Sequence, residues 1–264
     1  MSQQHEHDLQ ARLAVSTVIF ALSPDLDGDG VERPSLRIPL VRRLREPGLG
    51  RWALPGGWLP VDESLDAAAA RTLGETTGLA PRYLEQLYTF GDPDRSPGER
   101  VVSVVYWALV HDREVERAVS DENVRWFDED ALPALAFDHG AIIDYALRRL
   151  RTKLEYSGIA HALLGEMFTM AELRGVHEAV LRKRLDPANF RRTMEASGTL
   201  VDTGRRLAGT RHRPPALYRF DPAHAPAAPP RTDASADGAG HAASAPAVDD
   251  HETPHRTERK ERSA

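Results

Sequence analysis

The chain contains no cysteine. That excludes disulfides, thiol nucleophiles and cysteine-ligated zinc, and it accords with a reducing compartment. Lysine is scarce: Lys153, Lys183 and Lys260 are the only lysines among 34 basic residues. Arginine in such excess beside abundant alanine reflects a GC-rich genome, so arginine abundance alone is no sign of nucleic-acid binding. Long apolar runs are missing too. Leu13 to Leu22 is the longest apolar-rich stretch, too short to cross a bilayer and interrupted by Ser16 and Thr17. The opening MSQQHEHDLQ lacks the basic-then-apolar layout of a signal peptide. The expected setting is the cytoplasm, with no membrane contact.

What is present divides by charge. Residues 1–150 carry 16 basic and 25 acidic side chains, net −9; residues 151–221 carry 13 and 8, net +5; residues 222–264 carry 5 and 7, net −2. A basic module therefore sits between acidic neighbours. At 264 residues the chain holds one large or two ordinary domains. The expected organisation is a polar leader over 1–10, a first domain over 11–150, a second over 151–221 and a disordered tail over 222–264. The tail is alanine, proline, charge and histidine without periodicity, and nothing holds His241, His251 and His255 together as a metal site.

Gly56 to Leu79 is the organising stretch. A turn at Gly56 and Gly57 leads to the acidic pair Asp62 and Glu63; a helix follows over about Leu65–Thr76, closed by Gly78 in a left-handed cap. Arg71 and Glu75 stand one helical turn apart and pair on one face. Here the sequence resembles the Nudix box, which runs glycine, five residues, glutamate, seven residues, and then Arg-Glu-U-x-Glu-Glu-x-Gly-U (U, bulky apolar). Gly57, Glu63, Arg71, Leu73, Glu75, Gly78 and Leu79 all fit, but Thr72 and Thr76 stand where the motif has its other two helix glutamates. Positions 72, 75 and 76 share a helix face, and three carboxylates there hold the divalent cations of a diphosphate-cleaving enzyme. With threonine at two of them, the expectation is a ligand-binding Nudix domain with no catalytic residues, no metal site and at most weak magnesium binding.

In chain order, strands are expected at Leu13–Leu22 and Ser35–Arg43, the second edge or irregular because of Pro39. Between them Asp25, Asp27, Asp29 and Gly30 look like the start of a calcium loop, but its twelfth position is Leu36, so a solvated hairpin turn is preferred. Arg42, Arg43 and Arg45 either approach ligand phosphates or merely flank a strand. Further strands are expected at Tyr83–Phe90, Val101–Val110 and Val124–Phe127, then a helix over Asp138–Leu154. Tyr88, Phe90 and Tyr106 are candidates for stacking on a base, with core packing the favoured alternative.

The basic module reads as short helices. The first spans Ile159–Met167. Thr169 caps the second with Glu172 in a capping box, over a buried stripe of Leu173, Val176 and Val180. Asp186, Pro187 and Gly198 punctuate the third, whose Phe190 and Met194 face inward while Ala188, Arg191, Arg192 and Glu195 face out. Strands at Thr199–Thr203 and Ala216–Phe220 flank a turn holding Arg205, Arg206, Arg211, His212 and Arg213. This is the outline of a winged helix-turn-helix, with Thr169, Asn189, Arg191, Arg192, Arg205, Arg206, Arg211 and Arg213 as candidate DNA contacts. A protein-docking helical domain is the alternative.

Taken together with YLEQLYTFGDP (83–93), RVVSVVYWALV (100–110), LDPANFRR (185–192) and PALYRF (215–220), the chain resembles the Nudix-related transcriptional regulators of NAD metabolism, the NrtR family. The resemblance implies an α+β architecture, a Nudix α/β/α sandwich followed by a winged helix-turn-helix. It implies a homodimeric repressor of NAD biosynthesis or salvage genes on a palindromic operator, with ADP-ribose or a related nucleotide as effector and no required cofactor. Arg42, Arg43, Gly56, Gly57, Glu63, Arg71, Glu75 and Phe90 are then the ligand-binding candidates. The competing reading is an active ADP-ribose or nucleotide-sugar pyrophosphatase that rebuilds its metal site from Glu63, Glu75 and one of Glu114, Glu116 or Asp121. An RNA-binding reading is disfavoured because no aromatic single-strand platform is evident.

Overall fold

The computed structural model describes residues 11–26, 32–79, 83–110, 122–156, 158–208, 214–221 and 223. The leader, Asp27, Asp29 and Gly30, the alternative carboxylates Glu114, Glu116 and Asp121, the wing residues Arg211 and Arg213, and the tail apart from Ala223 lie outside the described residues. Among these residues a mixed sheet comes first. β1 (Arg12–Leu26) runs parallel to β6 (Val101–Val110) and antiparallel to β2 (Glu32–Arg42) and β4 (Gly56–Trp58). β5 (Tyr83–Phe90) borders β6, while β3 (Trp52–Ala53) and β7 (Val124–Asp128) border β2.

Pro39 explains the split in β2. Leu36 C=O and Arg42 N–H bond toward the β7 side, and Arg43 N–H bonds toward Arg51 on the other. Alternation then puts residue 39 on the β1 side, where proline has no N–H to give, and pairing with β1 stops at Arg37. β1 is released to take Gly56–Trp58 as its next partner, so the glycine turn joins the sheet. Gly56 sits so close to β1 that a Cβ would come within 2.4 Å of the Val15 carbonyl oxygen.

The two faces of the sheet are covered separately. α1 (Leu65–Thr77) lays Ala68, Ala69 and Leu73 on Val15, Ile19, Tyr106 and Ala108. Its run of alanines allows close approach. α2 (His139–Tyr156) covers the other face, where Ile142, Ile143, Ala146, Leu150 and Leu154 meet Val18, Phe20, Ile38, Leu40 and Trp107. Each such fully buried aliphatic side chain contributes about 1.5–3 kcal/mol. These apolar residues are spent inside the chain's own core.

The same core continues into the basic module. α3 (Met170–Leu181) has the capping box at Thr169 and Glu172, and α4 (Pro187–Ala196) has Asp186 as N-cap with Gly198 left-handed after it, at φ 69°. The expected helix at Ile159–Met167 is corrected to a 3₁₀ turn over Gly158–Leu163. Gly165 follows it, a poor helix former, and the chain is then drawn into β8 (Phe168–Thr169), which pairs with β10 (Ala216–Phe220). β9 (Leu200–Arg206) completes this sheet in the order β8-β10-β9. It runs three residues past the expected end, so Arg205 and Arg206 lie on a strand and not in the turn.

α3 also meets the first sheet. Gly175 faces Pro34 so closely that a Cβ would stand 3.0 Å from the proline ring. Arg151 of α2 donates Nε–H to Val180 C=O at 2.9 Å and pairs with Glu129 at 3.1 Å, while Arg182, just past α3, pairs with Asp130 at 2.7 Å. Glu129 is nearly buried, and that burial raises its pKa against the lowering pull of Arg151 and Arg182.

Candidate ligand site and nucleic-acid interface

Ser64 caps α1, its Oγ accepting the Ala67 N–H, and the cap sets Glu63 against the helix. Arg71 then takes both motif carboxylates. Its Nε and NH2 grip Glu63 at 2.9 and 2.8 Å, and NH1 reaches Glu75 at 3.1 Å. The bond from Arg71, opposed by burial and aided by charge, holds the Glu63 carboxyl below its ordinary pKa. Thr72 is buried beside Gly57 and gives its hydroxyl hydrogen to main-chain carbonyls of Ala68 and Ala69. Thr76 is half-buried. A neutral hydroxyl turned onto its own helix and two carboxylates spent on one guanidinium do not fit a divalent cation. Among the described residues, no three His, Asp or Glu side chains converge on a point.

A concavity among the described residues of this domain lies elsewhere. A cavity of about 610 Å³ opens between the loop at Glu46–Arg51, the segment Asp94–Pro97 and the entry to α2 at Ala136–Asp138. That is within the range of small-molecule sites, roughly 300–1,000 Å³. Glu46 shapes the first loop by accepting Gly48 N–H at 2.7 Å. Arg95, with only 4% of its side chain exposed, is forked onto Asp138 at 2.9 and 2.8 Å and donates to Ser103 at 2.9 Å. Phe137 has φ 56°, a conformation rarely adopted by a bulky side chain. Its ring is thereby held under the Arg43 guanidinium, 4.6 Å from centroid, and beside His139 at 5.5 Å. His139 accepts the Leu54 N–H through Nδ1 at 2.9 Å, and burial pushes its pKa down to about 4. Wall and glycine turn are thus fastened together two residues before Gly56.

Of the ligand candidates read from sequence, the structure gathers Glu63, Arg71 and Glu75 with Gly57 nearby, and puts Arg43 behind the cavity wall. Arg42 is exposed at the end of β2. Phe90 is half-buried in an aromatic group with Tyr88 at 5.5 Å and Tyr145 at 5.9 Å. Tyr88 is 50% exposed, so the core reading fails for it. It holds for Tyr106, which is buried with its hydroxyl on Asp66 at 2.6 Å and its pKa pushed up to about 12 by burial and that carboxylate. Arg51, Arg95 and Phe137, which line the cavity, are not among those candidates. Their only sequence signals were a turn-rich 46–51 and the loop GDPDRSPGER.

On the basic module, Asn189, Arg191 and Arg192 are exposed on α4. Arg192 donates to Asn189 Oδ1 at 2.7 Å; Arg191 is shared between Glu195 at 2.8 Å and the Tyr218 hydroxyl at 3.2 Å, tying helix to wing. Arg205 and Arg206 are exposed on β9. Thr169 is corrected as a surface contact: it is buried, and its hydroxyl and N–H both engage Glu172.

A Nudix sandwich carrying a cavity, continuous with a winged helix whose third helix shows arginines to solvent, defines a ligand-pocket domain joined to a DNA-binding one. Comparison with known proteins is specific. Residues 30–150 match the NUDIX domain and residues 160–220 the NrtR DNA-binding winged helix domain. The chain is 36% identical to the ADPR responsive transcriptional repressor NtrR of Acinetobacter baylyi over 196 residues, 72% of this chain and 78% of that one. The crystal structure of Shewanella oneidensis NrtR complexed with a 27mer DNA aligns with a TM-score of 0.69 at 36% identity, covering 80% of this chain and 94% of that chain. An ADP-ribose pyrophosphatase of Methanocaldococcus jannaschii is 36% identical over 125 residues, 47% of this chain and 74% of that protein. The chain belongs to the NrtR family.

Proposed function

We propose that this protein is a transcriptional repressor that holds operator DNA through its winged helix and releases it when ADP-ribose, or a related NAD-derived nucleotide, fills the cavity of the Nudix domain, without hydrolysing it. Arg71 carries this reading, since it occupies Glu63 and Glu75 where a hydrolase would hold metal. In the cavity, the Phe137 face offers stacking for a purine and exposed Arg51 offers charge to a diphosphate. The protein acts as a cytoplasmic homodimer on a palindromic site, a twofold protein on a twofold sequence.

α2 supports a route between the sites. Its entry is pinned to the cavity wall through Asp138 and Arg95, and its Arg151 bonds Val180 of α3. A ligand that shifts Phe137 and Asp138 moves a rigid helix whose far half grips the DNA-binding module. Linkage then demands that DNA weaken ligand binding by the factor with which ligand weakens DNA binding. The test is calorimetric titration of ADP-ribose with and without saturating operator. Weaker binding on DNA is expected; equal affinities would overturn the reading.

A further inference from the structure

A second cavity, of about 540 Å³, lies inside the basic module. Its wall is mainly apolar, with Phe168, Leu173, Phe190, Met194, Leu200 and Phe220 from β8, α3, α4, β9 and β10. The space follows from the fold. The first helix is cut to a 3₁₀ turn that ends at Leu163, and the ten-residue α4 buries only Phe190. The recognition helix is therefore loosely backed.

His161, Asp186, Asn189, Thr193, Ser197 and Thr199 also reach the wall, but His177 is the polar side chain set against the aromatic floor at Phe190. His177 donates Nδ1–H to the Leu173 carbonyl at 2.9 Å, the only role open to it against a carbonyl oxygen, and its ring meets Phe190 edge-on at 5.0 Å. Nε2 is then a bare acceptor, without a hydrogen-bond partner among the described residues. Burial lowers the His177 pKa, opposed by the Leu173 bond, so the ring stays neutral at pH 7. An acceptor in apolar surroundings gains from a donor that arrives with its own apolar body. Lys183 and Arg184, exposed at the mouth, repel cations.

We propose that this cavity is a second small-molecule site, distinct from the nucleotide cavity, which takes a neutral one- or two-ring aromatic with a single N–H or O–H donor that His177 Nε2 accepts. The position couples it to DNA. α4 turns Phe190 and Met194 inward to the cavity and Arg191 and Arg192 outward, with exposed Asn189 also on the cavity wall, so an occupant sets the angle at which the helix meets the groove.

The test uses indole as donor probe and 1-methylindole as its donor-less match, titrated calorimetrically into the full chain. Saturable indole binding, at least about ten-fold tighter than 1-methylindole, is expected. His177→Phe should bring indole down to the affinity of 1-methylindole and leave the latter unchanged. Met194→Trp should abolish both, with circular dichroism as the check on folding; wild type and His177→Phe decide the matter if that variant does not fold. Absence of saturable indole binding, or an unchanged preference in His177→Phe, overturns the proposal. So does displacement of indole by ADP-ribose, which would merge the two sites, and so does indole affinity that falls as protein concentration rises, which would put a second copy of the chain in the cavity.

Discussion

Thr72 and Thr76 separate two fates of the same helix. Thr72 is buried against Gly57, so Thr72→Glu together with Thr76→Glu forces a carboxylate toward the glycine turn. In magnesium-free buffer this variant should be less stable by about 1–3 kcal/mol, the usual penalty for an unpaired buried polar group. Magnesium should restore that loss and raise ADP-ribose cleavage on the order of 10²-fold above wild type. A folded variant with no cleavage would mean that the pocket no longer presents a diphosphate to this helix. His139 gives a second prediction. Its folded pKa of about 4 lies below the unfolded value near 6.5, so its contribution is intact above pH 6.5. As pH falls toward 4 the unfolded chain takes up a proton that the folded chain refuses, and stability declines by something on the order of 3 kcal/mol. Urea unfolding across that window should show the decline in wild type and a flatter profile in His139→Asn.

Elements with strong local punctuation were legible before the structure. Asp186, Pro187 and Gly198 bounded α4, and Thr169 with Glu172 placed the start of α3, because caps satisfy backbone groups within a few residues of sequence. The box helix was legible for the same reason, from Gly78. The 3₁₀ turn at Gly158–Leu163 was not: its length is decided by pairing of Phe168 and Thr169 with β10, some fifty residues away. The cavity at the entry to α2 was illegible for a related reason. Arg51, Arg95 and Phe137 come from three separated loops, and nothing in an isolated Phe announces φ 56°. The exposed arginines of α4 and β9 differ in what they should do. Arg192→Ala, beside Asn189, should relax sequence preference by about 1–3 kcal/mol. Arg206→Ala should weaken all DNA alike and reduce the salt slope by about one. Binding to cognate and scrambled duplexes over a salt series distinguishes them; matching effects would undo the division between helix and wing.

Across the whole molecule the continuous core matters more than either domain alone. α2 begins at the cavity wall and its apolar face runs through the core shared with α3. Arg151 is the polar end of that connection, with Val180 and nearly buried Glu129 as partners. Arg151→Met keeps the length of the side chain and removes both bonds. It should leave the separate affinities for ADP-ribose and for DNA within about three-fold of wild type while lowering the coupling factor toward one, a loss of about 1–3 kcal/mol of coupling. Retained coupling in this variant would place the route elsewhere.

The most direct measurement is fluorescence anisotropy of a labelled duplex from the region upstream of this protein's own gene, titrated with ADP-ribose in magnesium, with the nucleotide recovered afterwards and analysed by chromatography. The expected result is a specific complex that dissociates as ADP-ribose is added, with the ADP-ribose recovered intact. A complex indifferent to saturating ADP-ribose, or ADP-ribose recovered as AMP and ribose phosphate, would contradict it.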